Sequence, residues 1–226
     1  PYHVAVDAKG NLYISEYYNH RIRKVDTNGI ITTFAGTSER GWSGDGGPAT
    51  QAKLNSPWAS AADSEGNLYI SDFDNCCIRK VSTDGIITTI ANRGDCGYWG
   101  DGGPAISAGI RDPMGIAVDG EGNIFFVDGD RIRKIDPGGI ITTIAGTGGE
   151  GFSGDGGPAL NATFYWPYEL DVDKEGNVYI SDTFNCRVRK IDRSGIINTV
   201  AGSGNWDYGG DGGPATQAGL SEAYGV

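Results

Sequence analysis

The residues able to do chemistry are few in kind and unevenly placed. Only two histidines occur, His3 and His20, with four cysteines, Cys76, Cys77, Cys96 and Cys186. A histidine metal cage or a nucleophile–base pair needs more than this at workable spacing, so no catalytic residue, metal or cofactor is expected. Carboxylates are plentiful. The string Gly44-Asp45-Gly46-Gly47-Pro48-Ala49 returns with Asp101, Asp155 and Asp211, at steps of 56, 54 and 56 residues. One carboxylate among flexible carbonyls gives calcium too few fixed ligands. A turn-forming Asp is the expectation, with calcium the lesser alternative. Asp7, Asp63, Asp119 and Asp173 read the same way. Glu16, Asp72, Asp128 and Asp182 recur with Arg23, Arg79, Arg133 and Arg189, which predicts a repeated ion pair, worth little apiece if exposed. Glu169 and Asp171 interrupt an otherwise apolar run. They are the carboxylates weighed as ligands or catalysts against plain solvated acids.

Aromatic residues precede each Gly-Asp: Trp42, Tyr98 with Trp99, Phe152, and Tyr208 with Trp206 nearby. Recurrence in every copy suits a loop anchor. Residues outside the repeat pattern, Trp99, Trp206, Trp58 and Trp166, suit ligand contact better, although Trp58 and Trp166 flank strands and equally suit core. The candidate binding set is Trp42, Tyr98, Trp99, Trp206, Tyr208, Glu169 and Asp171. Asn161-Ala162-Thr163 is a glycosylation acceptor pattern.

These residues hang on a repeat of four short runs, with units 1–56, 57–112, 113–166 and 167–222, and 223–226 opening another. In the first unit the runs are His3–Asp7, Leu12–Ser15, Arg21–Val25 and Ile30–Phe34, rich in β-branched residues and parted by Gly/Asp/Asn turns. Strands so joined pair as an antiparallel meander. One meander cannot cover both its apolar faces, and stacking meanders about an axis gives an all-β propeller of four-stranded blades in a single domain. The turn between the second and third strands and the long inter-unit connector then share one edge. Cys96 on the long connector can bridge to Cys76 or Cys77 on the short turn, pinning about 20 residues. Cys186 is expected unpaired within the chain. Residues 48–54 read as about two turns of helix with Ala49, Ala52 and Leu54 inward.

Asn19-His20-Arg21-Ile22, the Gly-Asn-(Leu/Val)-Tyr-Ile runs and the Arg-Lys-(Val/Ile)-Asp runs resemble the NHL repeats of β-propellers, across the whole chain. The triplet drifts to Asn75-Cys76-Cys77, Gly129-Asp130-Arg131 and Asn185-Cys186-Arg187. The Gly-Asp-Gly-Gly-Pro-Ala insertion is similar to the long-loop subset of bacterial and extracellular NHL proteins. The resemblance implies six blades in a usual ring. Four units therefore suggest part of a larger ring, or a terminal strand that docks unusually. A first residue of Pro suggests a processed form or a fragment.

The net charge of −11 disfavours nucleic acid and anionic membranes as partners, and no apolar run is long enough for a membrane span. The reading is a secreted or extracellular recognition or scaffold module, binding protein or glycan on the long-loop face, as a homo-oligomer or with the remainder of a propeller. The alternative is a partial propeller enzyme, a metal-dependent lyase or lactone hydrolase, with its catalytic ligands outside these residues.

Overall fold

Val, Ile and Thr fill the runs between the turns, and each run is a strand in the computed structural model, which describes residues 1–92 and 94–226. The first sheet holds β1 (His3–Val6), β2 (Leu12–Glu16), β3 (Arg21–Val25) and β4 (Ile31–Ala35). The second holds β5 (Pro57–Ala62), β6 (Leu68–Asp72), β7 (Cys77–Val81) and β8 (Ile87–Ala91). The third holds β9 (Pro113–Val118), β10 (Ile124–Asp128), β11 (Ile132–Ile135) and β12 (Ile141–Ala145). In the fourth, a two-residue strand β13 (Gly157–Pro158) lies beside the meander β14 (Pro167–Val172), β15 (Val178–Asp182), β16 (Arg187–Ile191) and β17 (Ile196–Ala201). Within every sheet the meander strands pair in sequence order. These are the four-stranded antiparallel blades expected of a propeller.

The first turns close on carboxylates. Asp7 Oδ1 accepts from the Lys9 and Asn11 amides, both at 2.9 Å, while Oδ2 accepts from Asn11 Nδ2 at 2.7 Å and the Tyr13 hydroxyl at 3.2 Å. Asp63 and Asp173 repeat the arrangement. These carboxylates are taken up by the turn, as expected. Burial, followed by the Asp7 charge, pushes the Tyr13 phenol up to about 12.

The chain divides into two compact units, one of residues 1–124 with 135–141, the other of 125–134 with 142–226. In the first unit, Tyr13, Ile22 and Ala35 of the first sheet form one core with Leu68, Ile70, Val81 and Ile87 of the second. Ala49, Ala52 and Leu54 of the connector close that core. Their inward placement agrees with the sequence. The two helical turns do not. The connector makes a single 3-10 turn, Ala49–Gln51, with Pro48 just ahead of it rather than inside it. Ala52 is already extended, at φ −75° and ψ 155°, because Leu54 must run back into the core.

Candidate functional site

The connectors do more than span. In the first unit, Gly46 N donates to Ile87 O at 2.8 Å, Ile87 N to Gly47 O at 3.0 Å and Ala49 N to Gly85 O at 2.8 Å. The segment therefore lies along the outer edge of β8 as a short extra strand. Gly102, Gly103 and Ala105 repeat these bonds with Ile141 and Gly139, and Gly156 and Ala159 with Ile197 and Gly195. Each segment thus covers the outermost strand of the following repeat, which removes an exposed sheet edge. Gly44 makes the approach possible. Its φ is +93°, and a Cβ there would stand 2.7 Å from Ala52 Cα.

The Asp of the motif sits in a turn, as expected, with the Gly47 amide donating to Gly44 O at 3.0 Å across Asp45 and Gly46, but its side chain reaches beyond that turn. Asp45 Oδ1 accepts from Arg79 Nη2 at 2.9 Å and from Thr89 Oγ1 at 3.1 Å. Asp155 takes Arg189 Nη2 in the same way, at 2.8 Å. Arg79 and Arg189 are fully buried, and each also reaches the acid of its own second strand, Asp72 at 3.4 Å and Asp182 at 3.3 Å. Arg133 pairs with Asp128 at 3.1 Å. The predicted ion pair exists in the second, third and fourth repeats, and both partners are buried there. A register shift between strands falls at Ile78/Arg79 and Val188/Arg189, where a bulge re-aims the side chain. Burial pushes the Asp72 and Asp182 carboxyls up to about 6, against the amide, Asn and Arg donors that favour their charge. In the first repeat Glu16 pairs with Arg21 instead.

The short turns share the connector edge, as expected. Asn75 Nδ2 donates to Gly41 O at 2.8 Å, and Asn185 Nδ2 to Gly151 O at 2.8 Å. A disulfide joins Cys76 to Cys96, with Cα atoms 5.3 Å apart. Cys77 and Cys186 are buried thiols, and burial raises the pKa of both. His20 adopts a left-handed conformation, and its Nδ1 accepts from the Ser56 amide at 3.0 Å. Burial pulls the His3 imidazole down to about 4.

The aromatic residues separate into anchors and surface. Trp42 Nε1 donates to Thr89 Oγ1 at 3.2 Å, which ties the connector to β8. Phe152 lies under the guanidinium of Arg187 at 3.8 Å. The Tyr98 and Tyr208 hydroxyls donate to the Asp of their own motifs, Asp101 at 3.0 Å and Asp211 at 3.3 Å. The Trp99 ring covers Gly97 and Gly109. Trp206 instead joins an open cluster in the second unit. It stacks on Phe184 at 6.1 Å, which meets Tyr165 at 5.4 Å, and Tyr168 meets Trp166 at 6.3 Å and Tyr224 at 5.2 Å. Trp166, Trp206 and Tyr224 are all exposed, so Trp166 is not core. A second cluster in the first unit brings Trp58 within 5.1 Å of Tyr2 and 5.2 Å of Phe73, with Tyr17 stacked on Tyr2 at 4.6 Å. Residues 223–226 form no strand, and Tyr224 packs on Tyr168 much as Trp58 packs on Tyr2.

Sequence reasoning missed Phe184, Tyr168 and Tyr224. The signal was present: the second residue of a repeat is aromatic at Tyr2, Trp58, Tyr168 and Tyr224, with Met114 the exception. Glu169 and Asp171 both lie on β14, in different surroundings. Glu169 is buried and its Oε1 accepts from the Leu170 amide at 3.2 Å, while Asp171 is exposed and holds the Val172 amide at 2.8 Å. Asp171 lines an open cavity of about 430 Å³ with Tyr179, Val188 and Val226. Asn161 is exposed at the end of a 3-10 turn. Among the described residues no three His, Cys, Asp or Glu side chains are grouped to hold a metal, and no helix is long and apolar enough to cross a membrane.

The family model of the teneurin NHL domain matches residues 38–96, 91–151 and 148–209. Teneurin-1 of Gallus gallus is 34% identical over 155 residues, covering 60% of this chain and 6% of the relative. Among solved structures, a protein of unknown function from Bacteroides thetaiotaomicron superposes with a TM-score of 0.66 at 26% identity, over 83% of this chain and 46% of that one. A streptogramin B lyase superposes at 0.60 with 16% identity, over 88% and 53%, a likeness of fold alone. The chain spans about half the length of these structures and a small fraction of the curated relative.

Proposed function

Because this chain belongs to the teneurin NHL domain family, we propose that it is a non-catalytic recognition module working outside the cell, one that docks a protein or glycan beside its long connectors. The observation that carries this is the open cluster of Trp166, Tyr168, Phe184, Trp206 and Tyr224 in the second unit. Indole and phenol rings supply large contact area at low entropic cost and, for a glycan, stack on sugar C–H faces. The Cys76–Cys96 disulfide fits an oxidising compartment, and the exposed Asn161 has room for a glycan of its own. No cofactor enters this reading, so EDTA leaves binding unchanged. Membership of the long-loop, extracellular subset belongs to the same reading.

The test uses the labelled chain on cells and on a glycan array. Paired Trp166→Ala and Trp206→Ala substitutions lower cell binding at least tenfold, while Tyr208→Ala does not. Cell binding that survives glycosidase treatment assigns the ligand to protein; array binding assigns it to glycan. Binding indifferent to both tryptophans sinks the proposal.

A further inference from the structure

The turn between the second and third strands carries a side chain that reaches to the start of the next repeat. His20 Nδ1 accepts from the Ser56 amide at 3.0 Å, and Asp130 Oδ1 accepts from the Trp166 amide at 3.2 Å, each across 36 residues. Cys186 and Glu222 stand at the same spacing. Burial raises the Cys186 thiol pKa, and a backbone hydrogen bond from Glu222 works against it. The residues held in this way are all left-handed: Ser56 at φ +54°, Trp166 at +49° and Glu222 at +47°. That backbone is strained for a residue with a Cβ, most of all a bulky one, and it persists only where its surroundings fix it. The second repeat is the exception. Its turn residue is Cys76, whose sulfur is bonded to Cys96, and its counterpart Asp112 is not left-handed. The side chain two residues further on divides in the same way. It is aromatic after each left-handed residue, at Trp58, Tyr168 and Tyr224, whereas after Asp112 it is the buried Met114. A register shift falls at this point in β5, between Pro57 and Ser60, and in β14, between Pro167 and Leu170, where a bulge re-aims the side chain.

We propose that Asp130 is the positioning residue of the docking cluster: its carboxylate fixes Trp166 in the left-handed conformation and so sets the rings of Trp166, Tyr168 and Phe184 against one another. The inference rests on the recognition reading above and adds to it the residue that shapes the surface. The bond from amide to carboxylate is charge-assisted, and it holds a conformation that tryptophan otherwise leaves. The flanks are fixed by other means. The Tyr165 amide donates to Asp182 Oδ1 at 2.9 Å, and Pro167 pairs with Asp182 across the sheet. Trp166 is therefore the joint that turns when Asp130 lets go, and its indole then leaves Tyr168 and Phe184, whose ring centres lie 6.3 and 6.5 Å away. Rings arranged in advance give up less freedom on binding than rings that must assemble. His20 acts in the same way in the first unit, through Ser56, two residues ahead of Trp58. Where the disulfide takes the place of this bond, in the second repeat, no ring is presented.

Hydrogen exchange at the Trp166 amide and ring-to-ring NOEs, read beside binding of the labelled chain to cells, test this. Asp130→Leu speeds Trp166 exchange at least tenfold, removes the NOEs from the Trp166 ring to Tyr168 and Phe184, and lowers cell binding at least tenfold. Asp130→Asn keeps an oxygen acceptor and restores slow exchange, the NOEs and binding. Should Asp130→Leu unfold the chain, Asp130→Ala is read in the same way. Trp166 exchange and NOEs indifferent to loss of the carboxylate overturn the proposal. So does their loss with cell binding unchanged, and so does an Asn variant that behaves like the Leu one. A parent chain that stains no cells sinks the recognition reading instead, and exchange and NOEs alone then decide whether Asp130 positions Trp166.

Discussion

Arg79 reaches two carboxylates from different repeats and has no solvent of its own, so its charge depends on both. Removing a single partner leaves a buried guanidinium short of one charge-assisted bond, which costs about 2 kcal/mol. Asp45→Asn therefore lowers the urea midpoint measurably, whereas Asp211→Asn in dilute protein stays within about 0.5 kcal/mol of the parent. His3 gives the pH signature. Its imidazole titrates near 4 when folded against 6.5 in the ordinary state, so the unfolded chain binds the extra proton first. Stability from this group is full above 6.5 and is lost as pH falls towards 4, by at most about 3 kcal/mol. Asp72 and Asp182 act with opposite sign. Their folded pKa values near 6 mean that the native state takes up protons first as pH drops, which adds stability. The His3 share is the difference between the parent and His3→Gln in denaturation curves from pH 4 to 7. Parallel curves for the two would refute it.

At the scale of elements, the long connector of the second repeat is fastened twice, by its strand-like pairing with β12 and by the Cys76–Cys96 bond. Closing a loop of that length is worth about 3 kcal/mol in the chain-entropy view. Cys96→Ser should lower stability by that order, with denaturant melts as the readout, and leave Cys76 newly reactive. Gly44→Ala should be costly as well, through both its φ and the contact with Ala52. Strand placement was legible because β-branched runs alternate with turns that Gly and Asp dictate. The Asp7-type turns were legible because all their partners lie within six residues. The Asp45–Arg79 clamp was not, since its members are 34 residues apart and belong to different repeats. A periodic string shows that a residue recurs, but not across which boundary it reaches. The helix expected over 48–54 failed for a related reason: Leu54 is claimed by the core of two sheets, and an extended path delivers it there. Of the binding candidates, Trp206 falls into an aromatic cluster, while Trp42 turns out to be an anchor.

Over the whole molecule, the two buried thiols report on different compact units. Cys77 lies in the first and Cys186 in the second. Labelling under native conditions should be slow at both, and two thiols should appear on full unfolding without reductant. Distinct labelling rates at the two sites would measure the opening of each unit separately. Equal rates across a denaturant series would mean that they open together.

The overhang of each connector onto its successor also dictates where this chain can be cut. A segment trimmed to 57–112 would keep a flap meant for its neighbour and forfeit the one that shelters β8. Shifting the window upstream to begin near Trp42 and stop before the next flap retains Asp45 with Arg79. Anyone shuffling, grafting or duplicating these modules should splice out of phase with the visible meanders, because a self-sufficient piece starts in the preceding one's tail.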